Sequence, residues 1–569
     1  MNNIKKADMI LINGKVFSVL ENDSIVRGEA IAVADGTILK VGTNEEIKKM
    51  AGDNAQVIDC GGNTILPGMC DAHCHPSGVC GFIEACDMFG IYVSDEISPE
   101  DAIEIYMQKL KVYVDQHPEK ELIRGAGWVL TNFTGTSGRL PNRHDIDRIC
   151  SDRPVVLDSF CGHNTWMNTK AIEAAGFDEN TPDTETGTIV REENNYPSGM
   201  FLDAAANFLA KKSVPGYELT KDEYKTGFLA YQYEFANRYG VTMVTDALAF
   251  DDALNAYKEL AEEGALTLRL RSVAPLTPEG YAEEITRHVA EKGKFNVGED
   301  FRIDTVKAFE DGPFAMKEPY RDEFCDETGI PRGSNAELLW DNEILTDTAA
   351  KAMNTGFAIH IHAMGDAAVE QSAKCIAEAQ KRAGIDNTRS VITHLMLVSE
   401  EAADTMAEAN IIANVQPRWM NRDGDVESVV HMTGPEKGEC SYPFRTFTSR
   451  GIKYAAGTDF PVTPPPSTMH EIHCWMNRSC FPGSPEYDTW HGRVLGEEEP
   501  ATLAEAVRGL TWGGAYQMRM EDYTGTIEAG KSADFAVLDR DIESLPKEEI
   551  YSVNVSKTIF KGKIVFEMI

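Results

Sequence analysis

Residues 68–78 read GMCDAHCHPSG. Two histidines, His73 and His75, flank one cysteine just after NTILPGM, an apolar run that reads as a buried strand. In a strand, side chains at i and i+2 point the same way. The two imidazoles therefore face one point, as two ligands of a single metal must. With 13 histidines in 569 residues, an accidental H-x-H at a frayed strand end is an equal alternative. The choice depends on what the rest of the chain places beside the pair.

Paced outward from that stretch, candidate strands fall at residues 63–71, 240–246, 266–273, 301–309, 356–363, 390–396, 410–417 and 452–459. Helix-like segments separate most of them. In DAAVEQSAKCIAEAQKR, for instance, Val369, Ala373 and Ile376 share one face. Eight strands alternating with helices predict an α/β chain built on a (β/α)8 TIM barrel. The interval between the first two strands is far too long for one crossover, so residues 78–220 read as a large insertion. It leaves from the C-terminal end of strand one, the rim where barrel enzymes keep their chemistry, and is a candidate cover for the active site. The two ends of the chain have another style. Short apolar runs surround Asn13-Gly14, Asp35-Gly36 and Lys561-Gly562, which read as hairpin turns. The expected division is a composite β-sandwich from residues 1–64 and 515–569, around a barrel spanning residues 65–514.

Composition narrows the class. The chain is 42% hydrophobic and 25% charged, with a formal net charge of −37. Nucleic-acid binding through a general electrostatic footprint needs a basic surface, and anionic membranes need the same. No stretch approaches the ~18 apolar residues of a membrane span. The N-terminal run MNNIKKADMILINGKVF is broken by Asp8 and Asn13, unlike a signal peptide. The 12 cysteines include no C-x-x-C pair. Cys70, Cys74, Cys80 and Cys86 crowd together and read as buried free thiols, the alternative being a cysteine metal or redox site. These features fit a cytoplasmic protein with neither nucleic acid nor membrane as partner.

Taken in order, the strand ends carry His73 and His75, then Lys307, then His360 and His362, then His394, then Asp459. In a barrel these meet at one mouth. PGMCDAHCH, RPVVLDSFCGHNTWMN, VKAFEDG, HIHAMGDAA, GTDFPV and GTIEAGKSADFAVLD together resemble the metal-dependent amidohydrolase superfamily, and within it the branch that includes N-substituted formamide deformylase. The resemblance covers nearly the whole chain. It implies that His73 and His75 bind one metal and that His362 and His394 hold a second. Lys307, carbamylated by carbon dioxide, would bridge the two, and Asp459 would bind the first metal and serve as general base and acid. The implied metal is zinc, with two ions favoured over one, and the implied reaction is attack of metal-bound hydroxide on an amide-type C–N bond.

Alternatives remain at this point. The alternative for Lys307 is a structural lysine paired with Glu310 or Asp311, which would leave one metal. His360 shares a face with His362 and is the rival ligand, or else touches substrate. His163, Asn164, Trp166 and Trp128 in the insertion are candidate specificity residues, with packing the equal alternative. Gln416 and Arg418 are candidate substrate contacts, since a guanidinium fits a carboxylate in a bidentate manner. Arg478 matches the family's arginine or braces the barrel. The chain departs from the family pattern at Thr393, where glutamate is usual, at Cys161, where aspartate is usual, and at Arg418 and Trp419, where histidine is frequent. Other functions to set against hydrolysis are a one-metal deaminase or cyclic-amide hydrolase, a non-catalytic regulatory barrel and a cysteine-centred redox protein. The resemblance also allows a homodimer.

Overall fold

The computed structural model describes residues 6–568 except 84, 92–96, 134–138, 160–161, 185–186, 203, 313, 329 and 464–465. Eight parallel strands form the sheet that positions the site: β1 (Met69–Cys74), β2 (Val241–Asp246), β3 (Arg269–Pro275), β4 (Phe301–Phe309), β5 (Ala358–Ala363), β6 (Val391–His394), β7 (Ile412–Val415) and β8 (Tyr454–Ala456). Each pairs with the next in chain order, as a TIM barrel requires. Helices return the chain between strands. After β5, Asp366–Ala383 runs until Gly384 adopts φ 68° and ends it, a left-handed turn that costs glycine little.

The barrel closes through the segment that follows β8. Asp459 N–H donates to the His73 carbonyl at 2.8 Å, and His75 N–H donates to the Phe460 carbonyl at 2.8 Å. The Asp71 carboxylate adds two bonds to the seam, accepting from Thr458 N–H at 2.9 Å and from the Thr458 hydroxyl at 2.6 Å. Gly457 lies so close to β1 that a Cβ there would sit 2.4 Å from His73 N. Register then levels the other contributors. Lys307 is opposite His360, Phe309 opposite His362, and Ala363 opposite His394.

The apolar run read as one strand at residues 63–71 is two. Thr64–Pro67 belongs to a six-stranded sheet with Lys15–Val19, Ile25–Gly28, Phe535–Leu538, Val555–Phe560 and Lys563–Glu567. Only after Gly68, whose N–H bonds the Asp534 carbonyl, does the chain enter the barrel. The turns at Asp35-Gly36 and Lys561-Gly562 are hairpins, with positive φ at all four residues. Asn13-Gly14 is not. Ala7–Ile12 pairs with Ala30–Ala34 and Ala51–Asp59, and Lys15–Val19 pairs in the other sheet. The chain changes sheets at this corner, as sandwich strands do. Met9, Leu11, Ile31, Val33, Phe535 and Ile559 fill the space between the two sheets.

Ser77–Phe228 forms a separate compact unit. Its own six-stranded sheet runs from Cys86–Asp87 through Ile123–Trp128, Val155–Ser159, Asn164–Met167 and Pro197–Leu202 to Thr188–Arg191. The helix Pro99–Gln116, started by a Ser98–Asp101 capping box, buries Tyr106, Met107 and Leu110 in the core of this unit. Among the described residues, no helix of the chain is long and apolar enough to cross a membrane.

Closure at Gly457 is testable. Gly457→Ala should destabilise the protein by about 1–3 kcal/mol, the usual cost of overpacking, read as a lower denaturation midpoint. Gly424→Ala, with nothing within 4 Å of the added methyl, should leave it within about 0.5 kcal/mol.

Candidate metal centre

The strand ends bring five imidazoles, one lysine and one carboxylate together. His73 and His75 leave β1 on one face, and their Nε2 atoms lie 3.2 and 3.0 Å from Asp459 Oδ1. The His73 ring is 5.0 Å from that of His394, and the His362 ring is 4.4 Å from it, both edge to face. One ligand atom each from His73, His394 and Asp459 falls within 4.8 Å of the others. Lys307 is buried and its Nζ stands 4.9 Å over the Phe309 ring. The same phenyl lies 5.1 Å from His362. His75 and His362 keep side-chain exposures of 23% and 18%, so these two imidazoles face outward while His73, His360 and His394 lie beneath.

Two of these residues hold unusual backbone. His394 has φ 78° and Asp459 has φ 56°, the left-handed region that L-residues avoid. Each costs of order 1–3 kcal/mol and persists only where the surroundings impose it. For Asp459 the imposition is visible in its N–H bond to the His73 carbonyl.

Burial sets the charges. It pushes the His73, His360 and His394 imidazoles well below the ordinary histidine range, and the neighbouring cations add to this. His362 is lowered to about 3 by burial and then by Lys307. Burial lowers Lys307 to about 7 against the pull of Asp459. For Asp459, burial works upward, but the His75 ring nitrogen 3.0 Å away and the charges of His75, His394 and Lys307 hold it below the usual carboxylate range. At neutral pH His73, His360, His362 and His394 are therefore neutral, each with one bare ring nitrogen, beside an ionised carboxylate.

That arrangement suits a cation. His73 Nδ1 faces His360 Nε2 at 2.9 Å, so one of the two carries the shared proton. With it on His73, the His73 Nε2 lone pair points at Asp459 Oδ1. Asp459 Oδ1 and His362 Nε2 are both buried without a hydrogen-bond partner. Lone pairs facing one another out of contact with water are strongly unfavourable unless a proton or metal lies between. Imidazole and carboxylate donors suit a divalent transition metal, and these residues fit one.

The remaining expected site residues lie elsewhere. His360 bonds His73 and is buried behind it. Gln416, expected at the substrate, is fully buried, with its Oε1 3.0 Å from His394 Nδ1; it supports the ring instead. Trp128 is a core residue of the Ser77–Phe228 unit. Its indole donates to the Leu157 carbonyl at 2.9 Å and packs on Trp166. His163 is exposed on that unit, and Cys161 lies outside the described residues. Arg418 is buried over the Phe481 ring, with its guanidinium directed at Glu486 and the Cys474 sulfur. Arg478 braces the barrel, donating to the Leu495, Tyr442 and Ser441 carbonyls.

Two contributors were given no role in the sequence. Asp71 stitches the seam, and Trp419 stacks on His394 at 5.1 Å and 13°. The D-x-H-x-H spacing put Asp71 on the inward face with the histidines and was the available signal. Cys70, Cys74, Cys80 and Cys86 are buried free thiols, and burial pushes Cys70 and Cys74 well above the ordinary thiol range and Cys86 up to about 12, which disfavours the reactive thiolate.

Comparison with known proteins agrees with this geometry. A profile described as the amidohydrolase family matches residues 56–566. The chain is 26% identical over 569 residues to the protein YtcJ of Bacillus subtilis (strain 168), covering 97% of this chain and 98% of YtcJ. It is 23% identical over 567 residues to an N-substituted formamide deformylase of Arthrobacter pascens, covering 98% of each. A metal-dependent hydrolase of Pyrococcus horikoshii, itself uncharacterised, has the same fold, with a TM-score of 0.73 at 22% identity, covering 95% of this chain and 99% of that one.

An ion that binds only the native state stabilises it, by about 2.7 kcal/mol at one hundred times its dissociation constant. Zinc at that excess should raise the denaturation midpoint of the metal-stripped protein. The increment should vanish in a variant carrying both His73→Ala and His394→Ala.

Proposed function

The chain belongs to the amidohydrolase family, metal-dependent hydrolases of carbon–nitrogen bonds, and we propose that it cleaves an amide-type bond of a small molecule at a zinc centre in the barrel mouth. The observation that carries the proposal is Asp459 Oδ1, buried, without a hydrogen-bond partner and within 3.2 Å of two imidazole nitrogens. His73, His75 and Asp459 would hold the first ion and His362 and His394 the second, with Lys307, as a carbamate, a further ligand. A divalent ion supplies Lewis-acid polarisation of a carbonyl and water acidified towards neutral pH. Asp459, ionised at neutral pH, accepts the nucleophile's proton and delivers it to the leaving nitrogen.

Lys307 suits carbamylation because its amine, lowered to about 7, carries a free lone pair near neutral pH. Attack of the neutral amine on carbon dioxide forms an Nζ–C bond, breaks one carbon–oxygen π bond, releases one proton and turns a side chain that as a cation would repel metals into a carboxylate that binds them. The compact His73, His394 and Asp459 group favours a second reading, in which one ion is shared by these three and Lys307 remains an amine. The free cysteines among the described residues support a reducing, cytoplasmic setting.

Metal-loaded protein should hydrolyse members of a panel of N-formyl amines, N-acyl amino acids and cyclic amides, and Asp459→Asn should lose at least ~100-fold, the usual contribution of a general acid–base group. Two metal equivalents per chain, with added carbon dioxide on Lys307 by mass spectrometry, support the two-ion arrangement. One equivalent with an unmodified lysine supports the second reading. A fully loaded protein inert towards the whole panel contradicts both.

A further inference from the structure

Behind His394 the barrel wall carries an unbroken run of buried amide side chains. His394 Nδ1 lies 3.0 Å from Gln416 Oε1, and Gln416 Nε2 lies 2.9 Å from Asn414 Oδ1. Asn414 Nδ2 lies 2.9 Å from Gln517 Oε1, and Gln517 Nε2 lies 2.7 Å from the Ala72 carbonyl oxygen. Asn414 Nδ2 also reaches that carbonyl, at 3.3 Å, and the Thr393 hydroxyl donates to Asn414 Oδ1 at 3.0 Å. Gln416 and Asn414 are fully buried, and Gln517, at the end of the helix Gly514–Gln517, is 8% exposed.

A side-chain amide can be turned over, and a neutral imidazole can carry its proton on either nitrogen. Here the end of the run removes that freedom. A backbone carbonyl only accepts, so Gln517 must give its NH2 to Ala72 and offer its oxygen to Asn414. Asn414 must then give its NH2 towards Ala72 and Gln517 and offer its oxygen to Gln416. Gln416 must give its NH2 to Asn414 and offer its oxygen to His394. An oxygen facing the ring places the proton on Nδ1. Reversal at any link sets two acceptors or two donors against each other away from water, which burial penalises.

We infer that the Gln416–Asn414–Gln517 run, anchored on the Ala72 carbonyl, locks His394 in its Nδ1–H form and so presents the Nε2 lone pair to the metal. The inference rests on the metal reading above. All three are positioning residues that act through His394. Ala72 adjoins His73 in β1, so the run also ties the ligand of β6 to the strand that bears the first ligand pair. The hydrogen bond made by one ring nitrogen sets which nitrogen ligates.

The test begins with the full chain labelled with 15N-histidine and stripped of metal, with the His394 ring signals assigned by their loss in His394→Gln. The expected result is a protonated Nδ1 and a bare Nε2. Gln416→Leu should raise the zinc dissociation constant in chelator competition by about 10- to 100-fold, the usual effect of removing such a partner, and Gln517→Leu should raise it by at least ~3-fold. Both should show mixed His394 tautomers. Gln416→Glu, which still accepts from Nδ1–H but sets its second oxygen against Asn414 Oδ1, should keep the parent tautomer and recover part of the lost affinity, a rescue that a packing role does not provide. A proton on Nε2 in the metal-free parent, or parent-like affinity in both leucine variants, overturns the inference. The parent spectrum decides even if a variant fails to fold. A parent that binds no zinc refutes the metal reading instead, because the tautomer is read without metal.

Discussion

The site exists because the barrel closes where it does. Only a narrow approach lets the chain after β8 lie against β1, and Gly457 provides it, since a side chain there would collide with the His73 backbone. Asp71 then takes both donors of Thr458, and Asp459 and His75 exchange backbone bonds across the seam with His73 and Phe460. Residues nearly four hundred positions apart in the chain become adjacent, and three of the proposed ligands sit on that one seam. Asp71 is itself raised to about 6 by burial, so the seam is held by a carboxylate kept out of water for the sake of its partners.

Energetically the centre opposes the stability of the empty protein. Buried imidazoles lose hydration, a lysine beneath them is pressed towards neutrality, and His394 and Asp459 bear left-handed backbone. Native proteins tolerate such conflicts at functional sites and offset them elsewhere. Here the offsets are the parallel ladders of β4, β5 and β6, which fix register, and the buried amides behind His394, which leave no donor or acceptor of that wall unmatched along their length. In the proposed centre a cation would turn this unfavourable crowd of lone pairs into a coordination shell, so the strain and the chemistry would have one origin.

Much of this was legible in the residues. Period-two spacing placed His73 with His75 and His360 with His362, and alternation of strands with helices implied the barrel. Other features depended on tertiary pairing that no local pattern carries. The run 63–71 is uniformly apolar, and nothing in its residue types announces that Gly68 divides two sheets. Asn13-Gly14 has turn chemistry, yet its flanking strands pair with different partners. Gln416 and Trp128 look like substrate contacts because amides and indoles often are. Their partners, His394 and the Leu157 carbonyl, appear only once the strands are assembled. Asn414 and Gln416 share a face by the same spacing as the histidines, and that spacing was the trace of the amide run.

The most direct test of the account is anomalous diffraction at the zinc edge from crystals of the zinc-loaded protein. The account predicts a peak about 2.0–2.2 Å from His73 Nε2 and from an Asp459 carboxylate oxygen, with His394 ligating through Nε2. A map without a peak in the barrel mouth, or with zinc bound only at surface residues, would contradict it.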